Sequence, residues 1–178
     1  MRVDEFDFQL PEELIAQEPI ADRSASRLMV VDRESGKRTH TVFAQLPQYL
    51  SAGDLLVLND SRVRPARLIG MKEETGAKIE LLLLKPLGED RWEALAKPAK
   101  RIKEGTVIRF GEQGELTAVA EEKRPFAGGR VFRLQYQAGT DVEELFNRLG
   151  KMPLPPYIRR ELSDPERYQT VYSREIGS

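Results

Sequence analysis

The spacing of apolar and polar residues changes period along the chain. In residues 11–16 a proline and two acids precede Leu14, Ile15 and Ala16, the make-up of a short helix. Residues 28–32 and 38–41 read as two strands joined by a turn at Glu34-Ser35-Gly36-Lys37. Phe43, Leu46 and Leu50 keep a helical spacing, which Gly53 ends. Leu55, Leu56, Val57 and Leu58 then form an unbroken apolar run that predicts one buried strand. The run stops at Asn59-Asp60-Ser61, whose side chains favour turns by bonding the local backbone, and Arg62, Arg64 and Arg67 follow. Ligands of α/β folds sit where such strands end. A plain turn with solvated arginines accounts for the same residues.

From Val63 to about Tyr136 the pattern shortens. Strand-like runs recur at residues 66–72, 78–85, 92–96, 106–110, 116–120 and 130–135. Glycines 76, 88, 105, 111, 114, 128 and 129 punctuate them, which predicts a small antiparallel barrel. Residues 140–149 predict a capped helix: Thr140 or Asp141 at the cap, Glu143 and Glu144 in the first turn, Gly150 as the stop. Three prolines in residues 152–158 impose an extended shape beside Tyr157. A short helix is expected to open at Asp164. The fold class is therefore a mixed α/β domain carrying an inserted antiparallel β-barrel.

Composition narrows the chemistry. The 178 residues are 40% hydrophobic and 32% charged, enough to bury a core. There is no cysteine, which excludes disulfides, thiolate zinc sites and cysteine nucleophiles. His40 is the one histidine, so a multi-histidine metal site cannot be built and no metal cofactor is expected. Flanked by threonines, His40 reads as a surface residue rather than a general base. No apolar run reaches the roughly 18 residues of a membrane span, and the N-terminus lacks a signal-peptide pattern. The protein is expected to be cytoplasmic and monomeric. The net charge of −1 is uneven: residues 1–61 hold 6 basic and 11 acidic side chains, residues 62–109 hold 12 and 7. A basic block in a neutral protein is a candidate polyanion surface.

Several stretches together resemble the S-adenosylmethionine:tRNA ribosyltransferase-isomerase family of queuosine biosynthesis. They are Asp4-Glu5-Phe6-Asp7-Phe8-Gln9-Leu10-Pro11 with Leu14-Ile15-Ala16, then Arg23 and Ser26-Arg27-Leu28-Met29-Val30. Asn59-Asp60-Ser61-Arg62-Val63 with Pro65-Ala66-Arg67-Leu68 follows, and then Gly76-Ala77-Lys78 leading to Glu80-Leu81-Leu82-Leu83. Lys97-Pro98-Ala99-Lys100 and residues 152–158 and 167–172 complete the set. Each motif is weak alone; their order and number carry the resemblance. It implies a larger α/β domain, residues 1–61 and 150–178, interrupted by a barrel at 62–149. Family members continue past Ser178 into an Ala-Pro-Thr-Ala-Gly-Leu-His-Phe motif, so this chain corresponds to an N-terminal portion, expected to be inactive alone.

The implied reaction moves the ribosyl group of S-adenosylmethionine, a co-substrate, onto 7-aminomethyl-7-deazaguanine in a tRNA anticodon. The group is isomerised to an epoxycyclopentane, and adenine and methionine leave. Such chemistry needs a general base, positioning groups and a basic RNA-facing surface. Asp60 is the catalytic candidate, as base or ribose ligand, against an Asx turn. Asn59, Arg62, Arg67 and Tyr157 are the cofactor candidates; the two arginines either grip phosphate or the methionine carboxylate, or pair with acids of the chain. Lys97, Lys100, Arg101, Arg159, Arg167 and Gln169 are the RNA candidates, with Trp92 as an aromatic beside the basic run. The sequence leaves the general base open. The rival reading is a non-catalytic RNA-binding barrel module; a blander one is a scaffold whose arginines balance the acidic N-terminal segment.

Overall fold

The computed structural model describes residues 2–177, and they form two compact units. One comprises the residues up to Asp60 with Pro155–Arg167; the other comprises Ser61–Leu154 with the residues from Tyr168 onward.

The second unit is built by period-2 alternation. Strands β4 (Arg67–Lys72), β5 (Lys78–Gly88), β6 (Arg91–Lys97), β7 (Val107–Phe110) and β8 (Leu116–Lys123) bury alternate side chains, whereas β9 (Gly129–Gln135) buries Gly129 to Phe132 in succession and then Leu134. The sheet order β4-β5-β6-β9-β8-β7 closes on itself through a β4–β7 pairing, Met71 opposite Arg109. Closure leaves no free edge in the ring. Leu68, Ile79, Leu81, Ile108, Phe110, Leu116 and Phe132 fill the interior. Gly70 permits the closure: a Cβ there would lie 2.6 Å from the Phe110 ring and 2.5 Å from the Arg109 carbonyl. Helix α1 (Val142–Leu149) starts where Asp141 accepts a 2.9 Å hydrogen bond from the Glu143 N–H. It packs Leu145 and Phe146 against the barrel, with Phe146 edge-on to Trp92 at 5.3 Å between centroids. Strand β10 (Gly150–Lys151) then pairs with β4. A short parallel pair, β3 (Ser61–Arg62) with β11 (Glu175–Ile176), completes the unit.

Among the described residues, the first unit has none that is buried. Its regular elements are the hairpin β1 (Arg27–Val31) and β2 (Arg38–Val42) and several 3-10 turns. The helices expected at residues 11–16 and 43–50 are 3-10 segments, Glu12–Leu14 and Phe43–Tyr49, the latter interrupted by Pro47. Pro47 removes a backbone donor, so the longer α-helical ladder cannot form. The buried strand expected at Leu55 to Leu58 is absent. These residues pair with no strand and are 89%, 57%, 83% and 54% exposed. An apolar run becomes a buried strand only when neighbours hydrogen-bond its edges and cover its faces, and no described strand does so here. The helix expected from Asp164 is likewise a single 3-10 turn, Pro165–Tyr168.

What holds the first unit together is polar. Arg23 donates to the carbonyls of Glu166 and Arg167 at 3.2 and 3.1 Å, and Arg167 donates to those of Ala21, at 3.1 Å, and Ile20. Two arginines thus clasp each other's backbone segments.

Candidate functional site

Within the first unit, Gln17 organises an open cleft. Its amide nitrogen donates to the Tyr157 carbonyl at 3.0 Å, and its oxygen accepts from the Arg159 N–H at 2.8 Å. This two-sided bond pins the proline-rich segment, whose prolines offer few donors of their own. The cleft encloses about 380 Å³ and is lined by Glu12, Glu13, Ile15, Gln17, Tyr157, Arg159 and Arg160. Its cations face its acids: Arg159 lies 3.1 Å from Glu12, and Arg160 pairs with Glu18. Tyr157 stands exposed at the cleft and supplies an aromatic face. Asp60 and Asn59 lie on an exposed segment without regular structure, and the Asp60 carboxylate has no partner among the described residues.

In the second unit the arginines after the turn are engaged. The Arg64 fork binds both Glu143 carboxylate oxygens at 2.9 and 2.8 Å, while its guanidinium lies 5.4 Å from the Trp92 ring centroid. This clamp ties the start of the barrel to α1. Arg67 donates to the Leu154 carbonyl at 3.1 Å, and its Nε lies 3.3 Å from Glu80, a charge contact off the hydrogen-bond direction. Arg62 reaches the Ser173 hydroxyl at 3.5 Å.

Gln169 is 4% exposed. Its oxygen accepts from the Val63 N–H and its nitrogen donates to the Val63 carbonyl, both at 2.8 Å. A primary amide here replaces a neighbouring strand, satisfying both backbone groups of one residue.

The cations expected to meet RNA divide into two sets. Lys97, Lys100 and Arg101 are exposed and unpartnered among the described residues, on the end of β6 and the 3-10 turn Ala99–Arg101. Arg159, Arg167 and Gln169 are held within the chain by the contacts just described. Trp92, expected beside the basic run as a stacking group, is instead buried against Phe146, because its position alternates onto the inner face of β6. On the outer barrel wall Glu121 receives Arg91 and Arg133 at 2.9 and 2.8 Å. Burial pushes its carboxyl up, but those two hydrogen bonds outweigh burial and hold it below the usual range. Among the described residues no group of three or more potential ligands is placed to hold a metal ion. No helix there is long and apolar enough to cross a membrane.

Gln17 and the partners of Glu143, Arg23 and Arg167 are not legible in the sequence. Each acts on backbone or on a partner far along the chain, and no local pattern marks such a partner.

The chain is 54% identical over its whole length to the S-adenosylmethionine:tRNA ribosyltransferase-isomerase of Staphylococcus haemolyticus (strain JCSC1435), covering 51% of that protein. It is 52% identical to the protein of the same name from Staphylococcus aureus (strain JH9), again over 51% of its length. The chain thus spans about half the length of the curated relatives it matches. A solved structure, the S-adenosylmethionine tRNA ribosyltransferase of Thermotoga maritima, is 40% identical, with a TM-score of 0.39 over 82% of this chain and 48% of that one. The family model described as queuosine biosynthesis protein matches residues 3–178, and the chain belongs to that family.

Proposed function

We propose that this polypeptide is the N-terminal portion of a tRNA-modifying transferase-isomerase. In this reading the complete enzyme transfers and isomerises the ribosyl moiety of S-adenosylmethionine onto 7-aminomethyl-7-deazaguanine in tRNA. The product is epoxyqueuosine, with release of adenine and methionine. The observation that carries the proposal is 52–54% identity over the entire chain to relatives bearing that name. Residues 1–61 and 150–178 then belong to the catalytic α/β domain and 62–149 to the inserted barrel. The enzyme works as a cytoplasmic monomer.

The residues fit these tasks to different degrees. Asp60 offers a free carboxylate for a proton or for ribose hydroxyls. Tyr157 and Ile15 offer apolar faces to adenine, and Arg159 offers charge to the methionine carboxylate once it leaves Glu12. Arg62 and Arg67 would have to exchange their present partners to reach a ligand. Lys97, Lys100 and Arg101 need no such exchange to meet phosphates.

Calorimetry with S-adenosylmethionine, followed by turnover with tRNA bearing the deazaguanine base, tests the assignment. The full-length form should bind and turn over, and the 178-residue chain should not turn over. A full-length form that binds tRNA in a salt-dependent way yet never binds S-adenosylmethionine would instead establish the RNA-binding module.

A further inference from the structure

We propose that the outer face of the β1–β2 hairpin is a contact surface for unpaired RNA, separate in sequence and in chemistry from the Lys97–Arg101 edge. The proposal rests on the reading that the protein acts on tRNA.

The strand register sets the face. Arg27, Met29 and Val31 lie opposite Val42, His40 and Arg38, and all six side chains are exposed. The other face presents Leu28 and Val30, half-buried, with Thr41. Arg27 and Arg38 therefore stand at diagonal corners of one surface, roughly 13 Å apart along the strands at about 3.3 Å per residue. Met29 and His40 face each other between them. Arg33 and Lys37 add two cations at the turn.

These cations differ from the ion-paired arginines of the protein. Arg64, Arg91, Arg124, Arg133 and Arg159 are each answered by a carboxylate. The side chains of Arg27, Arg33, Lys37 and Arg38 make no hydrogen bond or ion pair among the described residues. Of the two acids at the turn, Asp32 and Glu34, the Asp32 carboxylate is committed elsewhere: it accepts the Ser35 hydroxyl at 2.6 Å and the Ser35 N–H at 2.7 Å, closing the turn. Those bonds, the hydroxyl first, hold its carboxyl below the usual range. Residues 27–42 carry four basic and two acidic side chains, a surplus of positive charge on a two-stranded ribbon.

The chemistry selects the partner. A free guanidinium binds phosphate through two parallel hydrogen bonds. An exposed imidazole stacks on a base, and the Met29 thioether adds a polarisable apolar floor. Cations at the rim with a stacking group at the centre suit splayed nucleotides, whose bases are open to stacking, better than a duplex.

The test uses the 178-residue chain and a fluorescent tRNA, with anisotropy titrations at several salt concentrations. Arg27→Gln with Arg38→Gln should weaken binding and flatten the dependence of log affinity on log salt by about 1.4, roughly 0.7 per lost single-strand phosphate contact. His40→Ala should weaken binding roughly fivefold or more while leaving the slope unchanged. Neither variant should move the melting temperature, because the side chains removed make no internal bond. Unchanged affinity and slope in the double arginine variant overturns the proposal, as does a wild-type chain that binds no tRNA. Loss of binding only in Lys97→Gln with Lys100→Gln removes the hairpin and keeps the barrel edge. An altered slope in the hairpin variant, in a protein whose full-length form ignores S-adenosylmethionine, supports the hairpin and removes the transferase reading.

Discussion

Replacing Gln169 by alanine separates a structural from an RNA-reading role at one position. The side chain is almost fully buried and makes two 2.8 Å hydrogen bonds to the backbone of Val63. Truncation removes both and leaves an N–H and a carbonyl without partners. Each buried group so stranded costs about 1–3 kcal/mol. Val63 is only half-buried, so water recovers part of this, and a total of about 3 kcal/mol is expected. At about 2–4 °C per kcal/mol for a chain of this size, the melting temperature falls by roughly 6–12 °C. Urea titration followed by the emission of Trp92, the single tryptophan, which lies in the same unit, measures the loss directly. With a slope of about 1–3 kcal/mol per molar urea the midpoint should drop by about 1–3 M. Gln169→Glu should not rescue, because a carboxylate keeps the acceptor for the Val63 N–H but offers nothing to its carbonyl. A midpoint within error of wild type, with tRNA affinity lowered, would refute the reasoning.

Gly70→Ala should destabilise the barrel by about 1–3 kcal/mol, because the new methyl meets the Phe110 ring and the Arg109 carbonyl at the closing pair; the same urea titration reads it. The Tyr136 phenol, hydrogen-bonded to Asp90 at 2.5 Å and further raised by partial burial and that carboxylate's charge, is pushed up to about 12. A pKa raised on folding stabilises fully below the unfolded value, about 10, and the benefit is lost as pH climbs through 12. Ultraviolet titration should therefore show one late tyrosine, absent in Tyr136→Phe.

The barrel was legible because its determinants are local. Residues 66–70 and 116–120 bury every second position, and local alternation of this kind assigns the inner face. The Asp141 cap and the Gly150 stop bracket α1 in the same way. The candidate site was legible only as a set of residue types. Lys97, Lys100 and Arg101 were found as a charge run, and they are free. Gln169 and Arg167 were also found, but the backbone groups they hold lie more than a hundred residues away in sequence. Trp92 lies beside the basic run in sequence, but its place in the strand alternation turns it inward.

By itself the sequence determined periodicity, turn positions, caps and the exclusion of thiol and multi-histidine chemistry, because each depends on residues within a few positions of one another. Only the tertiary structure decided which polar groups are committed and which are free. It paired Arg64 with Glu143 and the Gln169 amide with Val63, and it left Arg27, Arg38 and the apolar run at Leu55 to Leu58 facing solvent. The physical reason is that a hydrogen bond or a buried face needs a partner. Partners are brought together by chain closure over long separations, which no local pattern encodes.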